Sequence, residues 1–211
     1  MKIGILGSGL MGGKLGTIWA RAGHDVVFSY ARDKRKLEQL AHDAGAHARA
    51  GTPHEAAEQD VVLIAVNWPQ LTDLLAQAGD LAGKVVVTCA LPMDGAGNLV
   101  IAHTSSGAEE LAKRLPKAHV VAAFNTVPSE CFFGVYAARA HAKRPSLVYY
   151  GDDAHAKKVA VPLIHDVGFD PVDLGPLKIA RYGEPFTLLM GQLAYEMSDQ
   201  PGVAYRFERF T

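Results

Sequence analysis

The stretch that decides the fold is Lys2-Ile3-Gly4-Ile5-Leu6-Gly7-Ser8-Gly9-Leu10-Met11-Gly12-Gly13. Lys2–Leu6 is a short apolar run that ends in glycines, which predicts a strand. Leu10–Ala22 follows with Met11, Leu15, Ile18 and Ala22 at helical spacing, and Gly23 is placed to end the helix. Between the two, Gly7-Ser8-Gly9-Leu10-Met11-Gly12 fits GxGxxG without a gap. The pattern is weak by itself, but a strand before it and a helix after it are the required context. Gly7 then permits the tight turn, Gly9 lets a pyrophosphate approach the backbone, and Gly12 lets helix and strand pack closely. The helix presents free N–H groups and a positive dipole end to the phosphates. The stretch predicts a dinucleotide-binding turn, with Ser8, Leu10 and Met11 as its intervening residues.

Working outward, the alternation continues. Asp25–Ser29 reads as a strand and Lys34–Ala44 as a helix with Leu37, Leu40, Ala41 and Ala44 on one face. A short strand follows near His47–Arg49. Thr52-Pro53-His54-Glu55 reads as a capping box with proline at the first helical position. Val61–Val66 is a continuous apolar run, as in a strand buried on both faces. Trp68–Gln77 reads as helix and Lys84–Cys89 as strand. Ser106-Gly107-Ala108-Glu109 is a second capping box, opening a helix to about Leu115. His119–Phe124 and Leu147–Tyr150 read as strands, Asp153 caps a helix to about Asp166, and Phe169–Leu174 is the last strand. A final helical region starts at Pro176 and carries an apolar stripe of Phe186, Leu189, Met190, Leu193, Ala194 and Met197. Such alternation predicts an α/β, Rossmann-type, doubly wound and mostly parallel sheet. The expected division is 1–174 as the dinucleotide-binding domain and 175–211 as a small C-terminal helical cap.

Composition excludes several classes. Apolar residues make up 49% of the 211 residues and charged residues 20%, an ordinary globular balance that leaves no room for disorder, collagen or coiled coil. The net charge of −1 shows no basic excess, so neither nucleic acid nor an anionic membrane is an expected partner. Cys89 and Cys131 lie far apart without a CxxC, which points to neither a disulfide framework nor a zinc site and fits a reducing cytoplasm. Gly4, Gly7, Gly9, Gly12, Gly13 and Lys14 break up any signal-peptide core, and no run of 18 apolar residues is present. His42 and His47 are five apart rather than three or four, so no metal site is expected.

The end of the second strand discriminates the cofactor. A ribose 2′-OH is usually held there by Asp or Glu. Here the stretch is Ser29-Tyr30-Ala31-Arg32-Asp33-Lys34-Arg35-Lys36, with four basic residues among the five from Arg32 to Lys36. A charge-assisted bond from arginine to a 2′-phosphate gains roughly 1.5–3 kcal/mol, which favours NADP(H) over NAD(H). The plainer reading is a solvated first helical turn. Further contacts are expected where strands end: Val66-Asn67-Trp68, Ala90 and Asn125-Thr126-Val127. Asn125 and Thr126 either orient a nicotinamide amide or a partner ring, or cap their own loop, and Trp68 either covers a ligand or packs. No catalytic acid–base stands out. Hydride transfer between two planar cofactors needs alignment more than proton transfer.

Five stretches together carry a family resemblance: Gly7–Gly12, Ala31-Arg32-Asp33, His103-Thr104-Ser105-Ser106-Gly107-Ala108-Glu109-Glu110, Ala123-Phe124-Asn125-Thr126-Val127, and Asp173-Leu174-Gly175-Pro176-Leu177. Their order and spacing resemble the NADPH-dependent coenzyme F420 reductase (F420H2:NADP oxidoreductase-like) family over nearly the whole chain. The reductase domains of the STEAP metalloreductases are similar. The resemblance implies NADP along the glycine turn, Arg32 on its 2′-phosphate with Arg35 or Lys36 assisting, Val127 behind the nicotinamide, and Leu177 bordering a second ring. Ala31 stands where the family has a phosphate-binding serine, which leaves Ser29 or Tyr30 to supply a hydroxyl. Asn125 stands where archaeal members carry histidine. The implied activity is an NADP(H)-dependent oxidoreductase that moves hydride to or from a small-molecule acceptor such as coenzyme F420, FMN or FAD. Separately, the apolar stripe from Phe186 to Met197 either packs on the chain's own sheet or forms an interface, and a homodimer is the expectation. The alternatives are an imine or small-carbonyl reductase on the same fold and a non-catalytic NADP-sensing module.

Overall fold

The continuous apolar runs of the sequence become the centre of an eight-stranded sheet in a computed structural model that describes residues 1–197 and 199–210. The strands are β1 (Lys2–Leu6), β2 (Asp25–Ser29), β3 (Ala48–Ala50), β4 (Val61–Ile64), β5 (Val85–Thr88), β6 (His119–Ala123), β7 (Ser146–Gly151) and β8 (Asp170–Asp173). Their order is β3-β2-β1-β4-β5-β6-β7-β8. The helices are α1 (Leu10–Arg21), α2 (Lys34–Ala44), α3 (Pro53–Ala57), α4 (Leu71–Ala78), α5 (Gly107–Arg114), α6 (Phe132–Ala137), α7 (Ala154–Val167) and α8 (Ala180–Gly191). The Rossmann-type α/β architecture read from the sequence is the one observed.

Alternation along each strand feeds two cores. Ile3, Ile5, Val85, Val87, Val121 and Leu147 face α1, α2, α6 and α7. Leu6, Val86, Val120, Val148 and Tyr150 face α3, α4, α5 and α8. The first core holds a chain of edge-to-face rings: Trp19 on Phe124, Phe124 on Phe132, and Phe132 on Phe169, with centroids 5.9, 6.1 and 6.3 Å apart. Each such pair adds about 0.5–1.5 kcal/mol beyond area burial. The indole N–H of Trp19, fully buried, donates to the Leu163 carbonyl at 3.0 Å. On the opposite face, a Cβ at Gly4 would lie 1.8 Å from the Ala56 carbonyl oxygen, so α3 rests directly on the β1 backbone.

Six strands, β1 to β6, are parallel. β7 then runs antiparallel to β6, pairing Val121 with Gly151, and β8 runs parallel to β7. The reversal has a consequence for the site. The carboxyl ends of β1 to β6 lie along one edge of the sheet, whereas those of β7 and β8 lie along the other.

Several elements differ from the sequence reading. The Thr52 capping box forms as expected: the Thr52 hydroxyl accepts from Glu55 N at 3.2 Å, and the Glu55 carboxylate accepts from Thr52 N at 2.7 Å. At Ser106 only half forms. Ser106 accepts from Glu109 N at 3.2 Å, but the Glu109 carboxylate turns to the Arg181 guanidinium, which donates to it at 2.7 and 2.9 Å. The run Val61–Val66 stops as a strand at Ile64, and the Trp68 helix opens with a 3-10 turn, Trp68–Gln70. α6 had no counterpart in the sequence reading. The apolar stripe of the last helical region divides. Met190 and Ala194 are buried, Phe186 packs on the Tyr205 ring at 5.3 Å, and Leu189, Leu193 and Met197 are exposed. Of the expected cap, Ser198 and Thr211 lie outside the described residues. Its Leu177 and Ala180 share a core with Val148 and Tyr150. No helix among the described residues is long and apolar enough to cross a membrane.

Candidate functional site

The strand order switches between β1 and β4, and in open α/β sheets ligands lie outside the carboxyl ends at such a point. The glycine turn sits there. Gly7 has φ 110°, and a Cβ on it would lie 2.4 Å from the Ala65 carbonyl oxygen. A Cβ on Gly12 would lie 2.0 Å from the Gly7 carbonyl oxygen, so α1 could not close onto the turn. Gly9 differs: a Cβ there meets nothing within 4 Å, so its open side is free space. Gly9 is also the N-cap of α1, with no side chain capping the helix and no acid in its first turn. Exposed Leu10 and half-buried Met11 flank that end. A helix terminus with uncapped N–H groups, an open approach and no competing carboxylate is the donor set a pyrophosphate requires.

The end of β2 is more committed. The Ser8 hydroxyl donates to the Ser29 carbonyl at 2.8 Å. The Ser29 hydroxyl is wholly buried and donates to the Ile5 carbonyl at 2.7 Å. The Tyr30 hydroxyl donates to Asp73 at 2.7 Å, and burial, reinforced by that carboxylate, pushes the phenol up to about 12. Both hydroxyls suggested as stand-ins for the missing serine are therefore engaged within the protein. Arg32, Arg35 and Lys36 are exposed and enter no ion pair among the described residues. Asp33, the one acid in that run, is the N-cap of α2 and accepts from Arg35 N at 2.9 Å and Lys36 N at 3.4 Å. The acid serves the helix, and the arginines stay free.

The remaining loops gather on the same edge. Val66 is buried behind Gly7, Asn67 is exposed, and Trp68 lies half-buried under the Arg114 guanidinium at 5.6 Å. Ala90 is buried, its N–H on the Thr88 hydroxyl. Asn125, Thr126 and Val127 are buried. The Asn125 side-chain amide donates to the Tyr150 hydroxyl at 3.0 Å, and the Asn125 backbone carbonyl accepts from the Thr187 hydroxyl at 2.8 Å. The Thr126 and Tyr205 hydroxyls bond at 2.7 Å, and the Tyr205 oxygen also accepts from Val148 N at 3.1 Å. The segment is thus clamped from three other elements. Tyr30, His103 and Phe124 adopt left-handed φ of 55°, 62° and 66°. They follow β2, β5 and β6, so the backbone strain, of order 1–3 kcal/mol per residue, sits on this edge.

Leu177 is not brought to this cluster. It follows β8, whose carboxyl end lies on the other edge because β7 reverses direction. It is buried there, and its N–H donates to Asp152 at 2.9 Å, beside the amino end of β6. α8 then climbs back across the sheet face and delivers residues that the sequence reading missed. Glu184, 1% exposed, accepts from Gly107 N at 2.8 Å and Ala108 N at 2.9 Å at the start of α5. Burial pushes this carboxyl up to about 7 against the pull of the two N–H donors. Three residues further on, Thr187 reaches Asn125. Glu184 is the one acid of α8, set between Gly183 and Pro185, and that isolation was the available signal for it. Nothing local marks Tyr150 or Tyr205. No group of three or more His, Cys, Asp or Glu among the described residues is arranged to hold a metal.

Fold and turn together define a Rossmann-type protein of the dinucleotide-binding class. Residues 2–92 match the family model described as NADP oxidoreductase coenzyme F420-dependent. The chain is 30% identical over 190 residues to the metalloreductase STEAP3 of Rattus norvegicus, covering 89% of this chain and 36% of that protein. It is 27% identical over 208 residues to the human metalloreductase STEAP2, covering 94% and 39%. It spans little more than a third of the length of these curated relatives. A crystal structure described as a candidate F420-dependent NADP reductase from Arthrobacter sp. FB24 superimposes with a TM-score of 0.87 at 26% identity, covering 99% of this chain and all of that one. In these comparisons the chain is similar to the F420-dependent NADP oxidoreductases and to the metalloreductases, the resemblance that its motifs carry.

Proposed function

We propose that the chain binds NADP(H) on the glycine turn and passes hydride between the nicotinamide and a planar, flavin-like acceptor such as coenzyme F420, FMN or FAD. One arrangement carries the reading: an uncapped, acid-free helix start open at Gly9, beside unpaired Arg32, Arg35 and Lys36 at the end of β2. The first-turn N–H groups of α1 hold the pyrophosphate, and the Arg32 fork takes the 2′-phosphate with Arg35 or Lys36 assisting. Val66, Asn67, Trp68 and Ala90 border the cofactor from β4 and β5, and Val127 backs the nicotinamide. Asn125 and Thr126, fixed by Tyr150, Thr187 and Tyr205, keep that loop rigid. Bound NADPH supplies the hydride. The chain contributes alignment and a dry contact, which need no side-chain acid–base. Leu177, which the resemblance sets beside the second ring, packs at the base of α8 with its N–H on Asp152.

The division into a cofactor domain, 1–174, and a cap, 175–211, belongs to the same reading, with the cap held on the domain by the ties of α8 to α5 and to Asn125. So does a homodimer, supported by the exposed Leu188, Leu189, Leu193 and Met197 on one side of the cap. Light scattering should give the mass of two chains. The deciding experiment is NADPH oxidation by the purified protein with F420, FMN and FAD offered separately. Turnover with at least one is the expected result, and the one that works identifies the acceptor class. NADPH binding without turnover would move the assignment to a sensor. Failure to bind NADPH would overturn the reading.

A further inference from the structure

At the far end of α1 from the glycine turn lies an open cavity of about 420 Å³, lined by Arg21, Tyr136, Arg139, Arg144, His165 and Asp166. That volume falls in the range of small-molecule sites, about 300–1,000 Å³. Its charge is lopsided. Asp166, the acid in the lining, is already taken by His24 Nε2 at 2.8 Å. None of the three guanidinium groups meets a carboxylate among the described residues. Between Cys131 and Gly151 the chain has no Asp or Glu, yet it places Arg139, His141, Lys143 and Arg144 there. In a chain of net charge −1, this is a local concentration.

One of the arginines is pre-set. The Arg139 guanidinium lies 4.0 Å over the Tyr136 ring, and its Nη1 donates to the Tyr136 carbonyl at 2.8 Å, which fixes the group and leaves its other donors for a ligand. Arg21 lies over the Phe133 ring at 5.8 Å. Helix ends account for Arg21 and His165, which complement the last turns of α1 and α7. They do not account for Arg144, half-buried just before β7. Like charges around one opening repel, and a bound anion reverses the sign of that cost. Guanidinium forks match phosphate and carboxylate bidentately.

We propose that this cavity binds a small polyanion carrying phosphate or carboxylate groups. The 12 residues of α1 put it roughly 18 Å from the dinucleotide turn, so it is a separate site and does not rest on the proposed activity. The test is calorimetric titration of the full chain, its glycine turn first saturated with NADP+, at low salt with inorganic pyrophosphate and, separately, with citrate. Three proteins are compared: wild type, the Arg139→Ala/Arg144→Ala pair and the Arg139→Lys/Arg144→Lys pair. Wild type should bind at least one probe, and the probe it prefers names the class. The alanine pair should bind at least about tenfold more weakly, with the lysine pair between, because lysine keeps charge and loses the fork. Unchanged affinity in the alanine pair, or no binding of either probe to wild type, would overturn the site.

Discussion

The glycine turn and the Asn125 segment stand on the same edge of the sheet but are made in opposite ways. At the turn, shape comes from missing atoms: a Cβ on Gly7 or Gly12 would collide with backbone, and one on Gly9 would enter open space. At Asn125 and Thr126, shape comes from side chains gathered from β7, α8 and the tail, up to 79 residues away in the chain. A region built from absence breaks by addition. A region built from contacts breaks by deletion, in smaller steps.

The largest effect should come from Gly12→Val. Its Cβ falls 2.0 Å from a backbone oxygen, where no side chain can give way. A loss of about 3 kcal/mol or more is expected in denaturant unfolding, since core overpacking without room to relax sits at the top of its usual range. Near-normal stability would show that α1 can move away from the turn.

Glu184→Gln tests the second region through pH. The folded carboxyl titrates near 7 and the ordinary one near 4.5. Between those values the folded chain keeps a proton that the unfolded chain releases, so this group's stabilisation is full below 4.5 and is lost as pH rises through 7. The difference is worth about 3 kcal/mol. Wild-type stability should therefore fall across that window relative to the glutamine variant, whose profile should be flatter. Parallel profiles would mean that the buried carboxylate is compensated by groups other than Gly107 and Ala108.

Gly9→Ala separates shape from folding. Nothing in the protein meets the new methyl group, so stability should change by less than about 0.5 kcal/mol. NADPH affinity, followed by fluorescence titration, should nonetheless fall about tenfold, because the methyl group occupies the ligand's approach. The smallest effect is expected from Thr187→Val. It removes one donor from the Asn125 carbonyl and should cost about 1 kcal/mol in thermal unfolding.

The same contrast explains what was legible in the sequence. β1, β2 and α2 carry the bounds expected of them, because periodicity, glycines and the Asp33 cap are all local signals. Strand direction is not. The apolar run at Leu147–Tyr150 reads the same whichever way it points, and its reversal moves Leu177 to the far edge although the family pattern sets it beside a second ring. α6 escaped because six residues containing Gly134 leave no periodic pattern. The partners of Glu184 are backbone N–H groups, which any residue supplies, so no residue type could have named them. The half-formed box at Ser106 failed for a related reason: Arg181, 72 residues on, competes for Glu109.

The central claim is that an acid-free helix start beside Arg32 selects NADP(H). It is tested most directly by titrating NADPH and NADH into the wild-type chain and into Arg32→Ala. Wild type should prefer NADPH by at least about tenfold, and the variant should lose most of that preference while its NADH affinity stays the same, since one charge-assisted bond carries roughly 1.5–3 kcal/mol. Equal binding of the two cofactors by wild type, or a preference that survives the loss of Arg32, would contradict the account.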